Sequence, residues 1–204
     1  MRRVLDDLFS DQGGSRPPDG SSRGERSRPG TVYFAYKPEP DTAAEMAVKG
    51  NRLCGKLGLL GEVSPGVLHA TICPIGHFPD LSDERVEVAC KVAAALIAKP
   101  FEMVLDRVRT YPTGQQKLPF VAFSENGVPG AEFLRYGLMR ELRRVGFPLP
   151  KKLPAPHMTF CYDRRPIAEQ AIEPIRWMVR DFVLVHSVYR EGRHVQLGQW
   201  QLRG

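Results

Sequence analysis

The chain has 204 residues, of which 42% are apolar and 25% charged, with a formal net charge of +6. That size suits one ordinary domain or two small lobes sharing a core. No apolar run approaches the ~20 residues that span a bilayer, and Asp6 and Asp7 fall where a signal peptide needs its apolar stretch, so the sequence predicts a cytoplasmic protein with no membrane anchor. Cys54, Cys73, Cys90 and Cys161 include no C-x-x-C pair, which excludes a zinc ribbon or a thioredoxin-type motif and predicts reduced thiols. The basic, Arg-rich balance is compatible with a polyanionic partner such as RNA.

In chain order, residues 1–30 are rich in Gly, Ser, Pro, Arg and Asp and predict a disordered tail. Val4, Leu5, Leu8 and Phe9 could form one helical turn within it. The folded part is expected over residues 31–204. Val32, Tyr33, Phe34, Ala35 and Tyr36 form a β-branched and aromatic run that predicts a strand. Thr42 and Glu45 have capping-box spacing, and Ala43, Met46, Gly50, Leu53 and Leu57 follow at helical intervals. A short strand is expected over residues 68–73, stopped by Pro74. Ser82, Asp83 and Glu84 open a second helix with the stripe Val86, Ala89, Ala93, Leu96 and Ile97. Residues 101–109 alternate as a strand.

The order then restarts: a strand over 118–124, a helix over 131–145 striped by Leu134, Leu138, Leu142 and Val145, and a strand over 156–162. A short helix over 167–172, a long strand over 177–189 and a last strand over 195–202 complete the prediction. Residues 31–110 and 118–204 therefore read as an internal repeat of β-α-β-α-β units. Short matches support it: Phe34 and Ala35 lie 88 positions (122 minus 34) before Ala122 and Phe123, and Ala44, Glu45 and Met46 lie 87 positions (131 minus 44) before Ala131, Glu132 and Phe133.

The repeat carries the chain's chemistry signal. His69-Ala70-Thr71-Ile72-Cys73 and His157-Met158-Thr159-Phe160-Cys161 both read His-x-Thr-apolar-Cys, at an offset of 88 (157 minus 69). Histidine titrates near neutral pH unaided, so a matched pair points to acid–base work. A zinc site using both His and both Cys is disfavoured. On a strand, residues four apart are separated by roughly 13 Å, too far for one ion bound at ~2.0–2.3 Å. A His69–His157 metal site stays open but lacks carboxylates.

On strands, His69 and Thr71 share a face, as do His157 and Thr159. Two imidazoles and two hydroxyls around one cavity can cleave a phosphodiester: one imidazole takes a proton from water, the other gives one to the leaving oxygen, and the hydroxyls hold the phosphate. Cys73 and Cys161 are expected on the same face, as packing residues near the cavity rim. His77, His186 and His194 are read as surface or structural.

At these residues the chain resembles the two-histidine (2H) phosphoesterase superfamily, in particular its bacterial 2′-5′ RNA ligase-like (LigT-type) branch. The paired motifs carry the resemblance. So do Pro174-Ile175-Arg176-Trp177, the run from Phe182 to Ser187, and Leu197-Gly198-Gln199-Trp200, which are similar to the closing strands of that family. The resemblance implies a bilobal α+β fold, two antiparallel sheets flanking a central groove with helices outside. Monomer is the default for such a closed fold, and the His–Thr chemistry calls for no cofactor or metal. It implies hydrolysis of RNA 2′,3′-cyclic phosphate ends, tRNA fragments among them, to 2′-phosphates. Some members also join tRNA halves through reversible 2′-5′ linkages.

The resemblance assigns His69 as general acid, His157 as activator of water, and Thr71 and Thr159 as phosphate ligands. Known members have arginine five residues after the second histidine; here Tyr162 stands there, with Arg164 two residues on. Both are possible substrate contacts. His194 stands where many members have tyrosine. Two alternatives remain open: a small-molecule cyclic phosphodiesterase of the same fold, and a non-catalytic basic RNA-binding module.

Overall fold

The computed structural model describes residues 29–112, 116–189, 191 and 193–204. The helical turn expected at Val4, Leu5, Leu8 and Phe9 and nearly all of the expected tail lie outside the described residues. Strand β1 spans Gly30–Tyr36, helix α1 Pro40–Lys56, β2 Ala70–Phe78, α2 Asp83–Ala94, β3 Phe101–Thr110, β4 Leu118–Phe123, and α3 Pro129–Arg144. Four strands follow: β5 over His157–Asp163, β6 over Gln170–Val179, β7 over Asp181–Val188 and β8 over Arg193–Gln201.

The fold is α+β. The eight strands form one sheet in the order β6-β3-β4-β5-β2-β1-β7-β8, every pairing antiparallel. The two sheets expected from the resemblance are thus halves of a single sheet, joined where β2 meets β5 through the one pair Ala70–Met158. The order is symmetric about that joint: β2 matches β5, β1 matches β4, β7 matches β3 and β8 matches β6. One half, β3 to β6, is a continuous stretch of chain, whereas the other takes β1 and β2 from its start and β7 and β8 from its end.

Helices α1, α2 and α3 contribute to one apolar core with the same sheet face. Ala43, Met46, Ala47, Gly50 and Cys54 of α1, Val86, Ala89, Val92 and Ala93 of α2, and Ala131, Leu134, Leu138, Met139 and Leu142 of α3 are buried. They meet Phe34, Tyr36, Ile72, Phe120, Met158 and Phe160 from the strands. Each fully buried Leu in this set contributes roughly 1.5–3 kcal/mol by leaving water. The opposite sheet face carries a small second cluster, Tyr33, Ala35, Val183 and Val185.

Several elements differ from the sequence expectation for identifiable reasons. Strand β2 runs past Pro74 to Phe78 because, beyond Ala70, it bonds only to β1. A proline on the unpaired side removes no ladder bond. The helix expected over residues 167–172 is absent. Ile167 is instead tied to the end of β3, its N–H donating to Thr110 Oγ1 and its carbonyl accepting from the Thr110 N–H. Edge strand β6 begins soon after, with Pro174 inside a register irregularity against β3. The long strand expected over 177–189 breaks at Arg180 into β6 and β7, which belong to opposite halves of the sheet. Helix α1 starts at Pro40 without the Thr42–Glu45 box, since proline at the first helical turn already has the required φ. Helix α2 ends at Ala94, leaving Ile97 78% exposed rather than on the buried stripe.

Candidate active site

The joint between β2 and β5 is where the two motifs meet. Extending the Ala70–Met158 register by one residue each way sets His69 against Thr159 and Thr71 against His157. The four side chains alternate at the corners of a square, with the two histidines on one diagonal. Diagonal neighbours on adjacent antiparallel strands lie about 7–8 Å apart. All four residues are half-buried, whereas Ala70, Ile72, Met158 and Phe160 between and beside them are buried in the helix-side core. The alternation expected from a two-residue period therefore holds across both motifs.

That alternation stops one residue later, at matching places. In β2, Thr71 pairs with Ala35 but Cys73 pairs with Phe34, so Ile72 is an extra residue. In β5, Thr159 pairs with Val121 but Cys161 pairs with Phe120, so Phe160 is extra. These two bulges turn both cysteines away from the histidines, against the expectation that they share the motif face. Cys73 is fully buried beside Phe34, and Cys161 Sγ lies 3.6 Å from Cys54 Sγ of α1. A metal site uniting the two histidines with the two cysteines is excluded by this geometry. Among the described residues no group of three or more His, Cys, Asp or Glu is placed to hold a metal ion.

Each imidazole is oriented by the same local device. His69 Nδ1 lies 2.7 Å from the Val67 carbonyl, and His157 Nδ1 lies 2.9 Å from the Ala155 carbonyl, in each case two residues upstream. A carbonyl accepts only, so Nδ1 carries the proton and Nε2 is the nitrogen left to titrate. Burial pushes both rings below the ordinary histidine pKa of 6.5, while the carbonyl contacts pull the other way. Lys37 and the His157 charge lower His69 further; Arg135 and Arg109 do the same to His157.

Around His69, the Tyr33 ring stacks at 5.0 Å between centroids, and the His194 ring meets it edge-on at 5.0 Å. Tyr33 OH and His194 Nε2 are 3.2 Å apart. His194 is thus part of the site, not a surface residue, and burial with the nearby His69 and Lys37 charges brings its pKa down to about 4. His186 is fully buried against Phe78, and His77 is exposed beside Thr31 and Tyr189. Around His157, Tyr111 packs edge-on at 4.9 Å, and the Arg109 guanidinium lies 4.8 Å from both the Tyr111 and Phe123 rings.

Arg135 of α3 holds the two motif strands from beneath. Its Nη2 donates to the Thr71 carbonyl at 2.9 Å and its Nη1 to the Pro154 carbonyl at 2.6 Å, just ahead of β5. Tyr162 follows the second bulge and is 55% exposed. Arg164 is exposed beyond the end of β5. The adjacent Arg165 bonds the Leu57 carbonyl at the end of α1. Tyr33, Tyr111, Arg109, Arg135 and Lys37 were not legible as site residues. Tyr33 and Lys37 carry a weak signal, since they alternate with Phe34 and Tyr36 along β1 and just past its end, where the other face is core. Arg135 also carries one, lying four residues after the buried Ala131.

Neither a known family model nor a curated protein matches the chain by sequence. Its fold does match solved structures. It is similar to E. coli LigT in apo form with a TM-score of 0.68 and 19% identity, over 87% of this chain and 100% of that one. E. coli LigT complexed with 3′-AMP gives 0.67 at 19% identity, over 86% and 99%. TT0787 of Thermus thermophilus gives 0.62 at 22% identity, over 85% and 98%. The chain has the fold of LigT and TT0787 along nearly their whole length, with its two His-x-Thr motifs meeting at the centre of the sheet.

Proposed function

We propose that the chain is a 2H-type phosphodiesterase that opens RNA 2′,3′-cyclic phosphate ends to 2′-phosphates. The single observation that carries the reading is the square of His69, Thr159, Thr71 and His157 at the β2–β5 joint. Phosphoryl displacement proceeds in line, so the group that activates water and the group that protonates the leaving oxygen must lie on opposite sides of phosphorus. Two histidines on one diagonal supply those two positions, and two threonines on the other supply hydroxyl donors for the non-bridging oxygens.

In the proposed step, His157 Nε2 takes a proton from water as the water oxygen bonds to phosphorus. The P–O3′ bond breaks, and protonated His69 Nε2 gives its proton to O3′. The products are a 2′-phosphate and a free 3′-hydroxyl; the two histidines have exchanged protonation states and reset through solvent. A fold shared with LigT, which has been crystallised with 3′-AMP, supports a nucleotide-sized substrate. Replacing His157 by Ala, and separately His69 by Ala, is expected to lower turnover of an RNA with a 2′,3′-cyclic phosphate end by roughly 10²–10⁴. Unchanged turnover in both variants would refute the assignment.

A further inference from the structure

The cations nearest the motif square differ in one respect. Arg107 bonds Glu125, Arg109 bonds Glu169 at 3.1 Å, and Arg135 spends two of its N–H groups on backbone carbonyls. Lys37 makes no ion pair or side-chain hydrogen bond among the described residues. It nevertheless stands beside His69. Tyr36 pairs with Ala70, so one further step in the antiparallel register sets Lys37 against His69. Tyr36 faces the helix-side core, which puts Lys37 on the His–Thr face. Across that face the register reads Lys37, His69, Thr159, Val121 and Arg109 on five successive strands or strand ends.

We propose that Lys37 is a phosphate-binding residue of this site, its ammonium meeting an anionic oxygen of the phosphate held in the square, on the His69 side. The proposal rests on the phosphodiesterase reading and adds to it the group that balances the phosphate charge. A half-buried ammonium without a counter-ion is costly to desolvate, and an arriving anion offsets that cost. Burial holds the Lys37 pKa below its ordinary value of 10.5. Its charge also reaches His69 and His194, which is consistent with its place at the mouth of the square.

Inorganic phosphate is the probe, titrated at low salt into the full chain and followed by the imidazole NMR signals of His69. Wild type is compared with Lys37→Met, Lys37→Gln and Lys37→Arg. Loss of a charge-assisted bond is expected to weaken phosphate binding by about 10- to 100-fold in both neutral variants, and Lys37→Arg is expected to retain most of it. Absence of phosphate binding by wild type, or neutral variants that bind as wild type does, overturns the proposal. The titration needs no turnover. A wild type that binds phosphate through Lys37 yet leaves RNA 2′,3′-cyclic phosphate intact sinks the phosphodiesterase reading and leaves the lysine assignment standing.

Discussion

At the residue scale the site depends on where two protons sit. Both imidazoles fix Nδ1 on a carbonyl and leave Nε2 as the titrating nitrogen, so both titrate at the same nitrogen. The proposed acid–base step needs one ring neutral and one protonated, which gives a bell-shaped rate profile. Burial lowers both pKa values from 6.5, and the neighbouring positive charges lower them further. The base therefore becomes competent, and the acid loses its proton, at lower pH than free histidine would. Both limbs of the kcat/KM profile are expected on the acid side of 6.5, with the maximum between them. Limbs centred above 6.5 would contradict the burial argument.

At the element scale the main question is what fixes the spacing between two strands that share one ladder pair. Arg135 answers it by bonding the carbonyls of Thr71 and Pro154, one on each motif strand or its approach. A displacement of about 1 Å at a reacting centre can cost 10²-fold. Arg135→Met is accordingly expected to lower kcat by roughly 10- to 100-fold, and removal of its charge is expected to move the His157 limb to higher pH. Loss of kcat with an unmoved limb would leave Arg135 a purely structural residue.

The elements also show what the sequence could carry. The two His-x-Thr pairs were legible because period-two alternation is local. The turning of Cys73 and Cys161 to the other face was not, since each bulge is set by pairing with a partner strand. The helix expected over residues 167–172 overlaps only the start of edge strand β6, and fails for the same reason: the end of β3 fixes the path of the chain there. His194 reaches His69 only through the return of β8 to the β1–β7 half, a contact 125 residues long (194 minus 69).

At the scale of the whole molecule the two halves share one core. Phe34, Tyr36 and Ile72 of one half and Met103, Phe120 and Met158 of the other belong to the same buried cluster. Trp200 lies on β8 and Trp177 on β6, at opposite ends of the sheet. Single-tryptophan variants, Trp177→Phe and Trp200→Phe, should therefore report coincident unfolding midpoints. Separate midpoints would mean the halves unfold independently.

Acid should weaken the fold as a unit. His194, with its pKa brought down to about 4, binds its proton less readily folded than unfolded. Stability is then full above 6.5 and falls as pH drops from 6.5 toward 4, because the unfolded chain takes up the proton first. His69 and His157 add to the fall in the upper part of that window. His194→Phe is expected to flatten the dependence of Tm on pH between 6.5 and 4, and an unchanged slope would show that His194 does not govern it.

Two histidines at the β2–β5 joint are proposed to open a cyclic phosphate by acid–base chemistry. The most direct test incubates the purified chain, in EDTA, with an RNA ending in a 2′,3′-cyclic phosphate and identifies the terminal phosphate of the product. Conversion to a 2′-phosphate is expected, abolished when His69 and His157 are both replaced by Ala. A 3′-phosphate product, or no conversion, would contradict it.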